Sequence, residues 1–131
     1  MRKIFVNGTF DLLHPGHVAL LRFARAQGDW LRVAIDSDHR VRRLKGVHRP
    51  IQDQRSRADM LAALRVVDEV VIFDSDQELL DLMSDHDIMV KGSDYQGFPI
   101  LGSDIGIEIV FFPRLEMFST SHIIQKCHAV R

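Results

Sequence analysis

Short apolar, β-branched runs alternate along this chain with stretches of helical spacing, and that alternation predicts the architecture before any other feature is weighed. Ile4 to Val6 is the first run, and it stops at Asn7-Gly8, where glycine lets the chain turn. From Val18 to Ala26, the residues Val18, Leu21 and Ala24 recur at three-residue steps while Arg22 and Arg25 fall elsewhere, so an amphipathic helix is predicted, stopped at Gly28. Trp30 to Ile35 predicts a second strand, and the polar Asp36-Ser37-Asp38 after it is suited to cap the next element. Residues 39–52 are basic and turn-rich (His39, Arg40, Arg42, Arg43, Lys45, Gly46, His48, Arg49, Pro50) and read as a surface loop. Helical spacing returns over Ser56–Val67 through Met60, Leu61 and Leu64, with a strand after it at Glu69–Phe73. The remainder predicts a helix at Leu79–Met83, strands at Ile88–Val90 and Glu108–Phe112, and a last helix at Ser119–His128. Parallel strands need crossovers, which are right-handed in about 98% of cases. The expected fold is α/β: an open, parallel five-stranded sheet in three layers, with helices on both faces.

Composition narrows the function classes. At 131 residues the chain has the length of one domain, expected over 1–131, and 46% apolar with 27% charged residues is a soluble globular balance. Lys and Arg total 17 against 18 Asp and Glu, a net charge of −1, so no overall basic field recruits nucleic acid or anionic lipid. Any phosphate site must be local. No stretch approaches the roughly 18 apolar residues of a membrane span, and Met1 to Asn7 has no secretory pattern. The single cysteine, Cys127, excludes an intrachain disulfide, so a reducing, cytoplasmic setting is expected.

In an open parallel sheet, ligands sit beyond the carboxyl ends of the strands. The segment after the first strand is Gly8-Thr9-Phe10-Asp11-Leu12-Leu13-His14-Pro15-Gly16-His17. Two imidazoles three residues apart stand where a helix begins, and unsatisfied amides there already favour an anion. Gly16 leaves room for close backbone approach, and Pro15 is tolerated in a first helical turn. Together these residues read as a phosphate cradle. Zinc would need a third ligand, and the loop offers no further His or Cys. The glycines do not give the G-x-G-x-x-G dinucleotide fingerprint either.

This segment resembles the H-x-G-H signature of the α/β nucleotidyltransferases, in which G-T-F-D-x-x-H-x-G-H comes directly after the first strand. The resemblance spans almost the whole chain and is to the cytidylyltransferase-like branch, which includes glycerol-3-phosphate cytidylyltransferase and heptose-phosphate adenylyltransferase. It implies a Rossmann-like fold and transfer of a nucleoside monophosphate from ATP or CTP to a phosphorylated sugar or polyol, with release of pyrophosphate. The heptose type is favoured, with a role in cell-envelope carbohydrate synthesis, and the glycerol phosphate type is the alternative. The resemblance implies that His14 and His17 contact the triphosphate and stabilise the transition state. It places Lys45, in Arg43-Leu44-Lys45-Gly46, on donor or acceptor phosphate, and implies nucleotide contacts at Gly8, Thr9, Phe10 and Gly16. Val90-Lys91-Gly92-Ser93-Asp94-Tyr95 resembles a segment that lies against the base, through Gly92 and Asp94, while Lys91 could instead pair with a carboxylate. Arg114 with Ser119 and Thr120 resembles a hydroxyl-rich loop that holds the β and γ phosphates, Ser119 also suiting a helix N-cap. Met117-Phe118 stand where that loop commonly has glycine.

Asp11 and Arg57 are expected at the substrate, Arg57 either binding it or fixing its loop. Mg²⁺ is expected to accompany the triphosphate, with Asp11 or Asp94 assisting and neither assigned as a ligand. A homodimer is also implied, as is a separate kinase that supplies the acceptor. Two competing readings are a nucleotide sensor using the same pocket without chemistry, and a metalloprotein built on His14 and His17.

Overall fold

The computed structural model describes residues 1–113 and 119–129. Five parallel strands form one sheet: β1 (Lys3–Gly8), β2 (Trp30–Asp36), β3 (Glu69–Phe73), β4 (Ile88–Gly92) and β5 (Glu108–Phe112), in the order β3-β2-β1-β4-β5. The helices are α1 (Pro15–Ala26), α2 (Asp38–Lys45), α3 (Gln54–Ala62), α4 (Asp76–Met83) and α5 (Thr120–Ala129), with one 3₁₀ turn at Ser93–Tyr95. This is the expected open α/β architecture.

Alternation along the strands sends successive side chains to opposite faces. Ile4 and Val6 of β1 join Leu31, Val33, Ile35 and Val90 in one core, which α1 covers with Leu21 and Ala24 and α3 with Leu61. Phe5 points the other way and joins Ala34, Phe73 and Met89 under Leu79 and Met83 of α4. Helices therefore cover both faces. The strand order reverses between β1 and β4, where pairing is confined to Ile4↔Ile88 and Phe5↔Met89. Beyond Phe5 and Met89 the two strands part, opening a crevice at their carboxyl ends.

The surface loop expected over 39–52 is corrected in its first half, which is helix α2. The Ser37 side chain accepts from the Arg40 amide at its start, and Arg42, Arg43 and Lys45 in the last turn complement the helix dipole. Val41 is its one buried residue, too little apolar signal to register as a periodic stripe. Helix α1 also begins earlier than its apolar spacing indicates, at Pro15, because the cap is built from His14.

Gly102 is buried at φ +96°, and a Cβ there would stand 2.3 Å from Met83 Sδ, at the base of the α4-side core. Gly102→Ala combines left-handed backbone strain with overpacking, so urea unfolding should show stability lower by about 2–3 kcal/mol. An unchanged unfolding midpoint would contradict this packing.

Candidate active site

The start of α1 is capped by its own histidines. His14 is extended (φ −138°, ψ 170°), and its Nδ1 accepts from the Gly16 amide at 3.1 Å and the His17 amide at 3.4 Å. In return His17 Nδ1 accepts from the His14 amide at 3.3 Å. This is a reciprocal capping box with imidazoles in place of the usual Ser and Glu. A nitrogen that accepts a hydrogen bond carries no proton, so this pattern assigns the ring proton of each imidazole to Nε2. The rings stack with centroids 3.7 Å apart at 22°, and the Phe10 ring lies 5.1 Å from His17, tilted by 49°. Burial, reinforced by the neighbouring His14 and Lys45, pushes the His17 pKa down to about 3. His17 is therefore a neutral donor at physiological pH, able to bond a phosphate oxygen without giving up its proton.

The loop between β1 and α1 is strained and tied down. Phe10 and Leu12 both have φ of +53°, a region that costs non-glycine residues about 1–3 kcal/mol each. Phe10 is buried over Gly8, where a Cβ would come within 3.0 Å of its ring. Between the two strained residues, Asp11 accepts the Ile51 amide at 2.7 Å and the Gln52 amide at 2.9 Å, one on each carboxylate oxygen. The Leu12 amide donates to the Gln52 side chain, and the Thr120 hydroxyl donates to the Asp11 carbonyl. Those bonds knot the histidine loop to residues 51–52 and to the start of α5.

Arg57 tightens the same knot from beneath. Its side chain is wholly buried, and it donates to the carbonyls of Thr9 (2.8 Å), Asp36 (2.9 Å) and Gln52 (3.0 Å) and to the Asp38 carboxylate (2.8 Å). Of the two roles expected for it, these bonds match the fixing of loops, and it lies outside the cleft lining.

The cleft itself, about 310 Å³, lies at the carboxyl ends of β1 and β4. His14, Gly16, His17 and Lys45 line it, together with Gly8, Thr9, Phe10 and Asp11. Gly92 and Asp94 come from the end of β4, and Ser119 and Thr120 from the start of α5. Ser119 also accepts from the His122 amide, as an N-cap does. Lys45 ends α2 at the cleft mouth, where burial lowers its pKa and the Asp36 carboxylate acts in the opposite direction. Arg114, expected in the same site, lies outside the described residues. Sequence reading missed Asn7, Arg49 and Tyr95 as lining residues. Arg49 donates to the Ser121 hydroxyl at 3.2 Å and bridges the 46–52 segment to α5. Asn7 precedes Gly8 near the end of β1 and Tyr95 follows Asp94 after β4, so position marks both, whereas Arg49 follows α2 and carries no such signal.

The family model described as cytidylyltransferase-like matches residues 5–126, from β1 through most of α5. The chain belongs to the cytidylyltransferase-like family. Among its curated relatives, the Bifunctional protein HldE of Azorhizobium caulinodans is 44% identical over 131 residues, covering 96% of this chain and 27% of that protein. The protein of the same name from Wolinella succinogenes is 48% identical over 128 residues, covering 95% of this chain and 27% of the relative. The chain thus spans about a quarter of the length of these relatives. A crystal structure of the lipopolysaccharide core biosynthesis protein from Thermoplasma volcanium superposes with a TM-score of 0.75 at 28% identity, over 88% of this chain and 98% of that one. In this cytidylyltransferase-like chain, no helix among the described residues is long and apolar enough to cross a membrane.

The depressed His17 pKa has a stability consequence whose sign is set by linkage. Between pH 6.5 and about 3, the unfolded chain binds a proton at His17 that the folded chain refuses, so stability falls as pH is lowered through that window. His17→Gln removes that titration, and urea unfolding from pH 7 to 4 should show a shallower loss for the variant, by up to about 1.4 kcal/mol per pH unit. Parallel profiles for the two proteins would contradict a buried, neutral His17.

Proposed function

We propose that residues 1–131 act as one nucleotidyltransferase domain that transfers adenylate from ATP to a sugar 1-phosphate of the heptose type and releases pyrophosphate. The observation that carries this reading is the pair of imidazoles whose Nδ1 atoms accept backbone amides, which puts the ring proton on Nε2, in a cleft that Lys45 also lines. Membership of the cytidylyltransferase-like family supports nucleotidyl transfer. The similarity to HldE proteins and to a lipopolysaccharide core biosynthesis protein supports a sugar phosphate over glycerol phosphate, and with it ATP over CTP.

In the proposed reaction an oxygen of the acceptor phosphate attacks the α-phosphorus of ATP in line and forms the new P–O bond. The bond from the α-phosphorus to the bridging oxygen breaks, its electron pair stays on the β-phosphate, and pyrophosphate leaves. Charge is conserved and no general base is needed, because a phosphate monoester is already a nucleophile at neutral pH. The chain's task is positioning and charge compensation. His14 and His17 donate to the departing phosphates, and Lys45, on a flexible stem at the cleft mouth, tracks charge as it moves. The hydroxyls of Ser119 and Thr120 and the amides at the start of α5 line the same cleft and suit the β and γ phosphates.

Among the described residues no three His, Cys, Asp or Glu side chains gather around a metal position, and Asp11 is committed to two amides. That donor chemistry fits Mg²⁺ carried by the triphosphate with its own waters and at most one carboxylate, Asp94 being the exposed one in the cleft. Bound in that way the ion would neutralise phosphate charge. A homodimer is proposed on the exposed apolar side chains of Phe98, Leu101 and Ile105, and a cytoplasmic location on the need for ATP.

Incubation with ATP or CTP, Mg²⁺ and a panel of phosphorylated acceptors should release pyrophosphate fastest with ATP and a heptose 1-phosphate. His14→Ala and His17→Ala should each lower kcat by about 10²- to 10³-fold. Nucleotide binding without pyrophosphate from any acceptor, or near-normal turnover in both variants, would overturn the proposal.

A further inference from the structure

The cleft has two chemically different sides, because the sheet passes between them. On the α1 side stand the two imidazoles, with Leu20, Val90 and Phe112 nearby. On the α4 side, Phe5, Ala34 and Met89 belong to the core under α4. Side chains alternate along a strand, so the residues two positions further, Asn7, Asp36 and Lys91, emerge on that same face at the carboxyl ends of β1, β2 and β4. Asn7 and Lys91 flank the gap where β1 and β4 part, and both line the cleft.

Asn7 Oδ1 is closed to solvent yet has no hydrogen-bond donor, an unusual condition for a side-chain oxygen in a folded protein. The Lys91 amine lies 4.8 Å over the Tyr95 ring, with Asp36 and Asp94 as its countercharges. Asp36 is itself held by the Thr9 hydroxyl and the Arg40 guanidinium. An amide with spare capacity in the same cleft as an ammonium suits a ligand that carries both a hydroxyl and a phosphate.

In-line transfer requires nucleophile and leaving group on opposite sides of the α-phosphorus. If pyrophosphate leaves towards the imidazoles on the α1 side, the acceptor approaches from the α4 side. We propose that Asn7 and Lys91 form the acceptor subsite: the Lys91 ammonium meets the acceptor phosphate, and the Asn7 amide reads a hydroxyl beside it, selecting a polyhydroxylated phosphate ester. This rests on the nucleotidyltransferase reading above. Gly8, immediately beyond Asn7, presents no side chain between the two halves of the site.

The test is steady-state kinetics of the full chain with ATP and heptose 1-phosphate, alongside thermal shift by ATP alone. Asn7→Leu should raise the KM for heptose 1-phosphate about tenfold, with the KM for ATP and the ATP-induced shift retained. Asn7→Ser, which keeps a hydrogen-bonding group, should recover part of that loss, and Lys91→Met should raise the acceptor KM by at least as much as Asn7→Leu. If Asn7→Leu fails to fold, the serine and Lys91 variants carry the same comparison. Variants that raise the KM for ATP instead, or leave both constants unchanged, would overturn the subsite while wild-type turnover left the transfer reading intact. Absence of pyrophosphate from the wild-type protein with every acceptor would overturn both.

Discussion

The site depends on one reciprocal interaction, in which two histidines cap the first turn of α1 through their Nδ1 atoms. Helix starts leave backbone amides without partners, and Ser, Thr, Asp or Asn usually satisfy them. Using imidazoles for that task has a chemical consequence. It fixes both rings in orientation and tautomer, so that the donor nitrogen of each is the one not consumed by the helix. A polar side chain locked by the backbone loses little freedom when it meets an anion, which is the condition for electrostatic preorganisation. Burial depresses the His17 pKa in the same stroke, so the donor stays neutral.

Holding that cap in place requires strain elsewhere. Phe10 and Leu12 sit in left-handed backbone, and the bonds around Asp11 and Arg57 over-determine them. Asp11 and Arg57 look in the sequence like substrate ligands because both are charged and stand near segments expected to bind phosphate. In the structure both side chains bond the loops, Asp11 while lining the cleft and Arg57 from outside it. Arg57 spreads its donors over four groups from residues 9, 36, 38 and 52, so one buried guanidinium joins the loops that come after β1 and β2.

Most of the fold was legible from apolar periodicity, since β1, β2, β3, β4 and β5 are short, apolar and β-branched. Helix α2 was not, because an eight-residue helix that buries only Val41 has no stripe to detect. Its start was legible all the same in Asp36-Ser37-Asp38. Within the site, the histidine loop, Lys45, the Gly92–Asp94 segment and Ser119–Thr120 carry type and spacing that sequence alone exposes. Asn7 and Arg49 do not. Asn7 matters through the face it shares with Lys91, a property of strand parity and sheet order, and Arg49 through a bond to Ser121, 72 positions away in the chain. Arg57 could be located but not assigned, since burial depends on which loops close over it.

The tautomeric state of the two capping histidines can be measured by long-range ¹H–¹⁵N correlation of the imidazole nitrogens, with and without Mg²⁺ and a non-hydrolysable ATP analogue. Both rings should show an unprotonated Nδ1 and a protonated Nε2 near neutral pH, and the analogue should shift the Nε2 signals of both. Protonated Nδ1 atoms, or Nε2 signals indifferent to the analogue, would mean that these rings are not the grip on the triphosphate.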